Sequence, residues 1–185
     1  MCAKAGDIIN AGSIDVGDDG IVVYESASID GSIINSGTID ADYDGIAVSS
    51  SSTVEGNITN SGDIDAGDSG IYLYSDSEVG GNITNSGDII SDEYGIYLYS
   101  DSTVGGDITN SEDALIDAAD SGIFLYHTSE VGGDITNSGT IDADYYGIGL
   151  SSSTVGGDIT NNGDIIAGSA SIAVDSSEVS GSITN

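Results

Sequence analysis

GNITNSGDIDAGDSGIYLYSDSEVG spans residues 56–80, and GNITNSGDIISDEYGIYLYSDSTVG follows directly as residues 81–105. The two are nearly the same sentence written twice. The phrase recurs outward in both directions, opening units at Gly6, Gly31, Gly56, Gly81, Gly106, Gly133 and Gly157, with a partial eighth at Gly181. The spacings are 25, 25, 25, 25, 27, 24 and 24 residues. A fixed period of this length is the signature of a repeat architecture in which each unit touches only its neighbours. The chain therefore reads as a five-residue extension, residues 1–5, and one array, residues 6–185. The length changes fall in turns. The fifth unit gains two residues around Ser111–Asp120, where Glu112 takes the place of the usual glycine. The sixth and seventh each lose one residue in the serine-rich turn before Val155 and Val179.

Within a unit, apolar residues alternate with polar ones. One column is always Ile: Ile8, Ile33, Ile58, Ile83, Ile108, Ile135, Ile159 and Ile183. A second is Ile14, Ile39, Ile64, Ile89, Ile141 and Ile165, with Leu115 or Ile116 serving in the long unit. The phrase G-I-x-[VL] follows, and Val closes the unit. Short stretches of period two rich in Ile, Val, Thr and Tyr read as strands, and the Gly, Asn, Asp and Ser clusters between them read as turns. Three short strands per unit are expected. A lone coil has too few apolar side chains to order itself, so coils must stack in parallel, about 4.8 Å apart. The fold class is an all-β parallel β-helix, or β-solenoid, of seven coils.

Two polar columns carry structural expectations. Asn10, Asn35, Asn60, Asn85, Asn110, Asn137, Asn161 and Asn185 lie two residues after the inward Ile and so point inward as well. Their amides, each with donors and an acceptor, can bond to one another up the stack. The glycine two residues later (Gly12, Gly37, Gly62, Gly87, Gly139, Gly163) is expected to take a positive φ in a turn.

Repeats such as GDITNSGTIDADYYGIGLSSSTVGG, residues 133–157, resemble the passenger domains of bacterial autotransporters, which are secreted and adhesin-like. The resemblance covers the whole array. It implies a right-handed helix with ladders of stacked residues and an extracellular or cell-surface location. It also implies a C-terminal translocating barrel and a leader, neither recognisable in these 185 residues. An excised piece and another class of protein with the same repeat both accommodate that.

Charge narrows the function. The chain has 32 Asp and Glu against a single Lys, Lys4, for a formal charge of −31. Such a surface repels phosphate, which argues against nucleic acid and anionic membrane as partners. No apolar run reaches spanning length, so direct membrane insertion is not expected. Cys2, the one cysteine, has no intrachain partner, and His127 stands alone in a turn. Carboxylates recur coil after coil without the singular constellation an active site needs, so the chain is expected not to be an enzyme.

Five outward columns remain. Asp15, Asp40, Asp65, Asp117 and Asp142 form an acidic line interrupted by Ile90 and Ile166. Carboxylates 4.8 Å apart repel by about 0.9 kcal/mol per pair even in water, so cations are expected to gather there, diffusely or as calcium at discrete oxygen sites. A second acidic line runs through Asp7, Asp107, Asp134 and Asp158, with Asn57 and Asn82 between. Thr59, Thr84, Thr109, Thr136, Thr160 and Thr184 form a single threonine column, a poor match to an ice lattice. In GIYLYS and its kin, Tyr72, Tyr74, Tyr97, Tyr99, Phe124 and Tyr126 point outward in two columns over three consecutive coils. This is the best candidate contact surface, for lateral packing or for a glycan or protein ligand. The array begins close to Met1 and stops in mid-repeat, a pattern open to head-to-tail self-association into a filament as well as to truncation. The expectation is an extracellular structural solenoid, a stalk or adhesin segment or a fibre subunit. The rival is a binding module using the Tyr/Phe face.

Overall fold

The computed structural model describes residues 6–185 and forms a parallel β-solenoid of seven coils and the start of an eighth. The extension over residues 1–5, with Cys2 and Lys4, lies outside the described residues. Every strand pairs in parallel with its equivalent one coil away, giving one sheet of eight strands and three of seven. In the coil opening at Gly81 the strands are Ile83–Asn85, Asp88–Ser91, Tyr94–Tyr99 and Thr103–Val104. The expected three strands are thus joined by a fourth, two-residue strand at the closing Val column. Two residues are too few to display alternation, so the sequence marks this column as apolar and inward but not as a strand.

The register is the alignment made physical. Ile83 pairs with Ile58 and Ile108, Ile89 with Ile64 and Ile116, and Leu98 with Leu73 and Leu125. Ile116, not Leu115, fills the core column in the long coil, and it is fully buried. The interior is a stack of Ile, Val and Leu, with a column of small residues at Ala41, Ala66, Ser91, Ala118 and Ala143. Like stacks on like, so each coil buries its apolar edge against an identical edge.

The asparagine column is the polar counterpart. Asn35, Asn60, Asn85, Asn110 and Asn137 are fully buried. Each Nδ2 donates to the Oδ1 of the next asparagine, from Asn10 to Asn35 at 2.8 Å through Asn60 to Asn85 at 2.8 Å to Asn161 to Asn185 at 2.9 Å. The other amide hydrogen reaches backbone carbonyls, as from Asn85 to Gly87 O at 2.8 Å. Among the described residues no buried side-chain nitrogen or oxygen lacks a partner.

The glycines after the asparagines do not have positive φ; no described glycine does. Their role is close approach. A Cβ on Gly37, Gly62 or Gly87 would collide with the carbonyl oxygen of Gly12, Gly37 or Gly62 one coil away. In the long coil the column is occupied by Ala114, not Glu112; its carbonyl lies against Gly139 of the next coil and accepts from Thr140 N at 2.9 Å. Glu112 and Asp113 are the inserted pair, and Asp113 sits at φ 66°.

The left-handed residues are instead the non-glycine pairs that end the widest strands: Ser50–Ser51, Ser75–Asp76, Ser100–Asp101 and His127–Thr128, at φ between 57° and 64°. Such residues cost roughly 1–2 kcal/mol each. Two bonds offset this. The turns continue the backbone ladder, as from Asp76 N to Ser100 O at 3.0 Å. A buried serine just beyond ties three of these turns down, Ser77 Oγ to Tyr74 O at 2.7 Å, Ser102 Oγ to Tyr99 O at 2.9 Å and Ser129 Oγ to Tyr126 O at 2.9 Å. The one-residue deletions fall here. Ser152 and Ser176 are single left-handed residues where the other coils have two.

Because the glycine column is set by crowding, Gly62→Ala should lower the thermal midpoint sharply, while Gly12→Ala, whose Cβ meets nothing within 4 Å, should leave it nearly unchanged. Equal effects in parallel melts would refute the steric account.

Candidate functional site

The widest sheet turns its polar-side positions outward, and three consecutive coils place aromatic rings there. Tyr72 pairs with Tyr97 and Tyr97 with Phe124; Tyr74 pairs with Tyr99 and Tyr99 with Tyr126. The rings are nearly parallel. Tyr72 and Tyr97 have centroids 5.3 Å apart at 9°, Tyr74 and Tyr99 5.5 Å at 9°, and Tyr99 and Tyr126 5.5 Å at 11°. Within one coil the neighbours are as near, with Tyr72 and Tyr74 at 5.6 Å. The result is a grid of six rings, brought together as the sequence implied.

Tyr94 and Tyr146, which the sequence places in the turn just before the strand, extend the grid from inside the strand itself. Tyr94 stacks on Tyr97 at 4.2 Å and reaches Phe124 of the following coil at 5.7 Å. Ser69 and Ser121 flank Tyr94 in its own column. Tyr146 tilts over Phe124 at 6.3 Å, and Gly149 makes this possible, since a Cβ there would come within 2.7 Å of the Phe124 ring and 2.9 Å of the Tyr146 ring. His127 closes one edge, set edgewise against Tyr99 at 5.8 Å and Tyr126 at 6.0 Å. The signal was present in sequence: Tyr94 and Tyr146 each stand immediately before the G-I phrase. The grid ends at Ala47 and Ser49 on one side and at Gly149 and Ser151 on the other. Tyr74 and Tyr126 are 39% exposed, and the remaining four rings are half-buried.

Carboxylates surround the rings. Asp44 sits at the start of the sheet one coil before Tyr72, where its Oδ1 accepts from Ser69 N at 3.1 Å. Burial pushes its carboxyl up to about 7, against the pull of that amide and with help from the charges of Asp19 and Asp68. Burial likewise raises the Tyr72 hydroxyl, with Asp44 adding to it, and the Tyr97 hydroxyl, with Tyr94 adding to it. Tyr94 is raised by burial and by Asp120 and Glu93.

The acidic lines divide by role. Asp7, Asn82, Asp107, Asp134 and Asp158 use Oδ1 to accept the next coil's backbone amide, as in Asp134 N to Asp107 Oδ1 at 2.8 Å and Asn82 N to Asn57 Oδ1 at 2.8 Å. Ser32 Oγ does the same for Asn57. What Ser, Asn and Asp share is an acceptor one or two bonds past Cβ, so this line is a second ladder. By contrast Asp15, Asp40 and Asp65 stack directly, as do Asp117 and Asp142, and all five are exposed. Among the described residues no three His, Cys, Asp or Glu side chains gather as a group that could hold a metal ion. The shortest sheet avoids such contacts altogether: Thr53, Glu78, Thr103, Glu130, Thr154 and Glu178 alternate, which holds carboxylates about 9.6 Å apart, near the screening length.

Comparison with known proteins found no matching family model, no matching curated protein and no matching solved structure. The repeat architecture and the geometry of its faces are therefore what a functional reading must rest on.

Asp44 has a folded-state pKa above its unfolded value, so its contribution to stability is greatest below pH 4 and declines as pH rises through about 7. Asp44→Asn keeps the acceptor for Ser69 and should match the parent near pH 4. At pH 8 it should be more stable by on the order of 1–2 kcal/mol after solvent screening; a parent equal to the variant at pH 8 in urea titrations refutes this. For the Asp15–Asp40–Asp65 line, calcium and magnesium chloride at equal concentration should raise the melting temperature by the same amount, as screening requires. A rise specific to calcium would identify discrete sites.

Proposed function

We propose that the chain is a non-enzymatic structural rod of an extracellular or cell-surface protein, of the passenger type its repeat resembles. It acts as a stalk segment, setting distance and stiffness. The observation that carries this reading is the single unbroken register of all four sheets along the whole array. Nearly every buried side chain is engaged with its own equivalent one coil away, so the coils are close to interchangeable. Length, about 4.8 Å per coil and roughly 35 Å for the array, is the property that such a construction varies most simply. The formal charge of −31 keeps an isoleucine-filled rod dispersed in solution. The extracellular location is supported by the resemblance.

Excising residues 81–105 tests the reading. The join places Gly106 after Gly80 and Asn110 next to Asn60, restoring every column. The shortened chain should fold, keep its β-sheet circular dichroism, and lose about 5 Å of maximum dimension in small-angle scattering. Loss of folding would refute interchangeable coils. Electron micrographs should show isolated short rods; long filaments with an axial repeat near 35 Å would identify a head-to-tail fibre subunit instead.

A further inference from the structure

The strands bearing the ring grid run from one acidic turn to another. Ahead of them lie Asp44, Asp68, Glu93 and Asp120, and behind them Asp76 and Asp101. Asp44, Glu93 and Asp120 act electrostatically on Tyr72 and Tyr94. No described residue is Lys or Arg, so no cationic side chain of the solenoid itself neutralises either rim. The rings, slipped and stacked along the column with their faces electron-rich, are therefore held between two rows of negative charge.

We propose that this face docks an extended, arginine- or lysine-bearing segment of another protein, with its cationic groups against Tyr72, Tyr97 and Phe124 and between the acidic rims. A cation within about 6 Å of an aromatic centroid is attracted to the ring, more so where water is partly excluded. The half-buried setting of Tyr72, Tyr97 and Phe124 meets that condition. Alternate side chains of an extended peptide lie about 7 Å apart, against a ring spacing of 5.3 to 5.8 Å along the column, a difference that the long flexible stems of Arg and Lys take up. The grid ends abruptly at Ala47 and Gly149, so the footprint is three coils long.

Charge decides between occupants. A second copy of the chain would bring a like charge of −31 and set rim against rim. A neutral glycan would use the rings and donate hydroxyls to the carboxylates, but it would leave the charge of both rims uncompensated. A cationic segment uses both. This surface is independent of the rod reading, since a stalk functions with or without it.

The test is fluorescence anisotropy of the full chain with a labelled peptide of alternating Arg and Gly at 0.15 M salt. The same peptide with Glu for Arg and a neutral cello-oligosaccharide serve as the other probes. The Arg peptide should bind and the Glu peptide should not. A triple variant, Tyr72→Ser with Tyr97→Ser and Phe124→Ser, leaves the formal charge unaltered and should weaken binding about tenfold or more. Circular dichroism confirms its fold; if it does not fold, the single variant Tyr72→Ser, at the end of the docking column that borders Ala47, replaces it and should weaken binding about threefold. Undiminished binding by the folded ring-deficient variant would mean diffuse attraction to an acidic surface and would overturn the proposal. So would absence of binding by the Arg peptide, or binding of the oligosaccharide in its place.

Discussion

Each residue of this solenoid lies above its own equivalent at strand spacing, and this superposition governs what every position can be. A residue type survives in the array when it tolerates contact with a copy of itself. Isoleucine does, because apolar edges exclude water equally well against an identical edge. Asparagine does, because one amide carries both the donor and the acceptor that its copy needs, as in the 2.8 Å link from Asn60 to Asn85. Glycine does where backbones approach so closely that any Cβ would strike the next coil's carbonyl. Aspartate does so only against charge repulsion unless its oxygen is given something to accept, and Asp15, Asp40 and Asp65 stack without that relief.

The same constraint explains how the surface manages its charge. The line through Asp107 and Asp134 turns each carboxylate into the acceptor for a backbone amide above it. The shortest sheet interleaves Glu78 and Glu130 with Thr103. The Asp15 line has neither device over its first three coils and then admits Ile90, which stands 45% exposed on the surface. An apolar residue is tolerated there because it breaks a run of like charges.

Most of the fold was legible because period and alternation report directly on stacking and on inward direction. Ile83, Asn85 and Leu98 needed nothing more. The failures share a physical cause: a residue type can answer to two different requirements. Glycine at Gly62 suits either a left-handed backbone or a crowded one, and only coordinates separate them. The left-handed turns fell on Ser75 and Asp76, whose serine-rich context reads as any polar loop. Ala114 took the glycine column because the inserted Glu112–Asp113 pair alters the path of the chain just before it, which is a local rearrangement that a column count misses. Of the candidate surface, the paired columns of Tyr72 and Tyr74 followed from alternation. Tyr94, Tyr146 and the half-buried carboxyl of Asp44 did not, since they sit at strand entries where alternation has not begun.

The asparagine ladder has one further property. Every link from Asn10 to Asn185 donates in the same sense, toward the later coil. The interior thus carries a file of amide dipoles aligned along one axis, and each added coil lengthens the file without reversing it. Two rods side by side are consequently not equivalent in parallel and antiparallel arrangement, even where their outer surfaces match: the electric moment adds in one and cancels in the other.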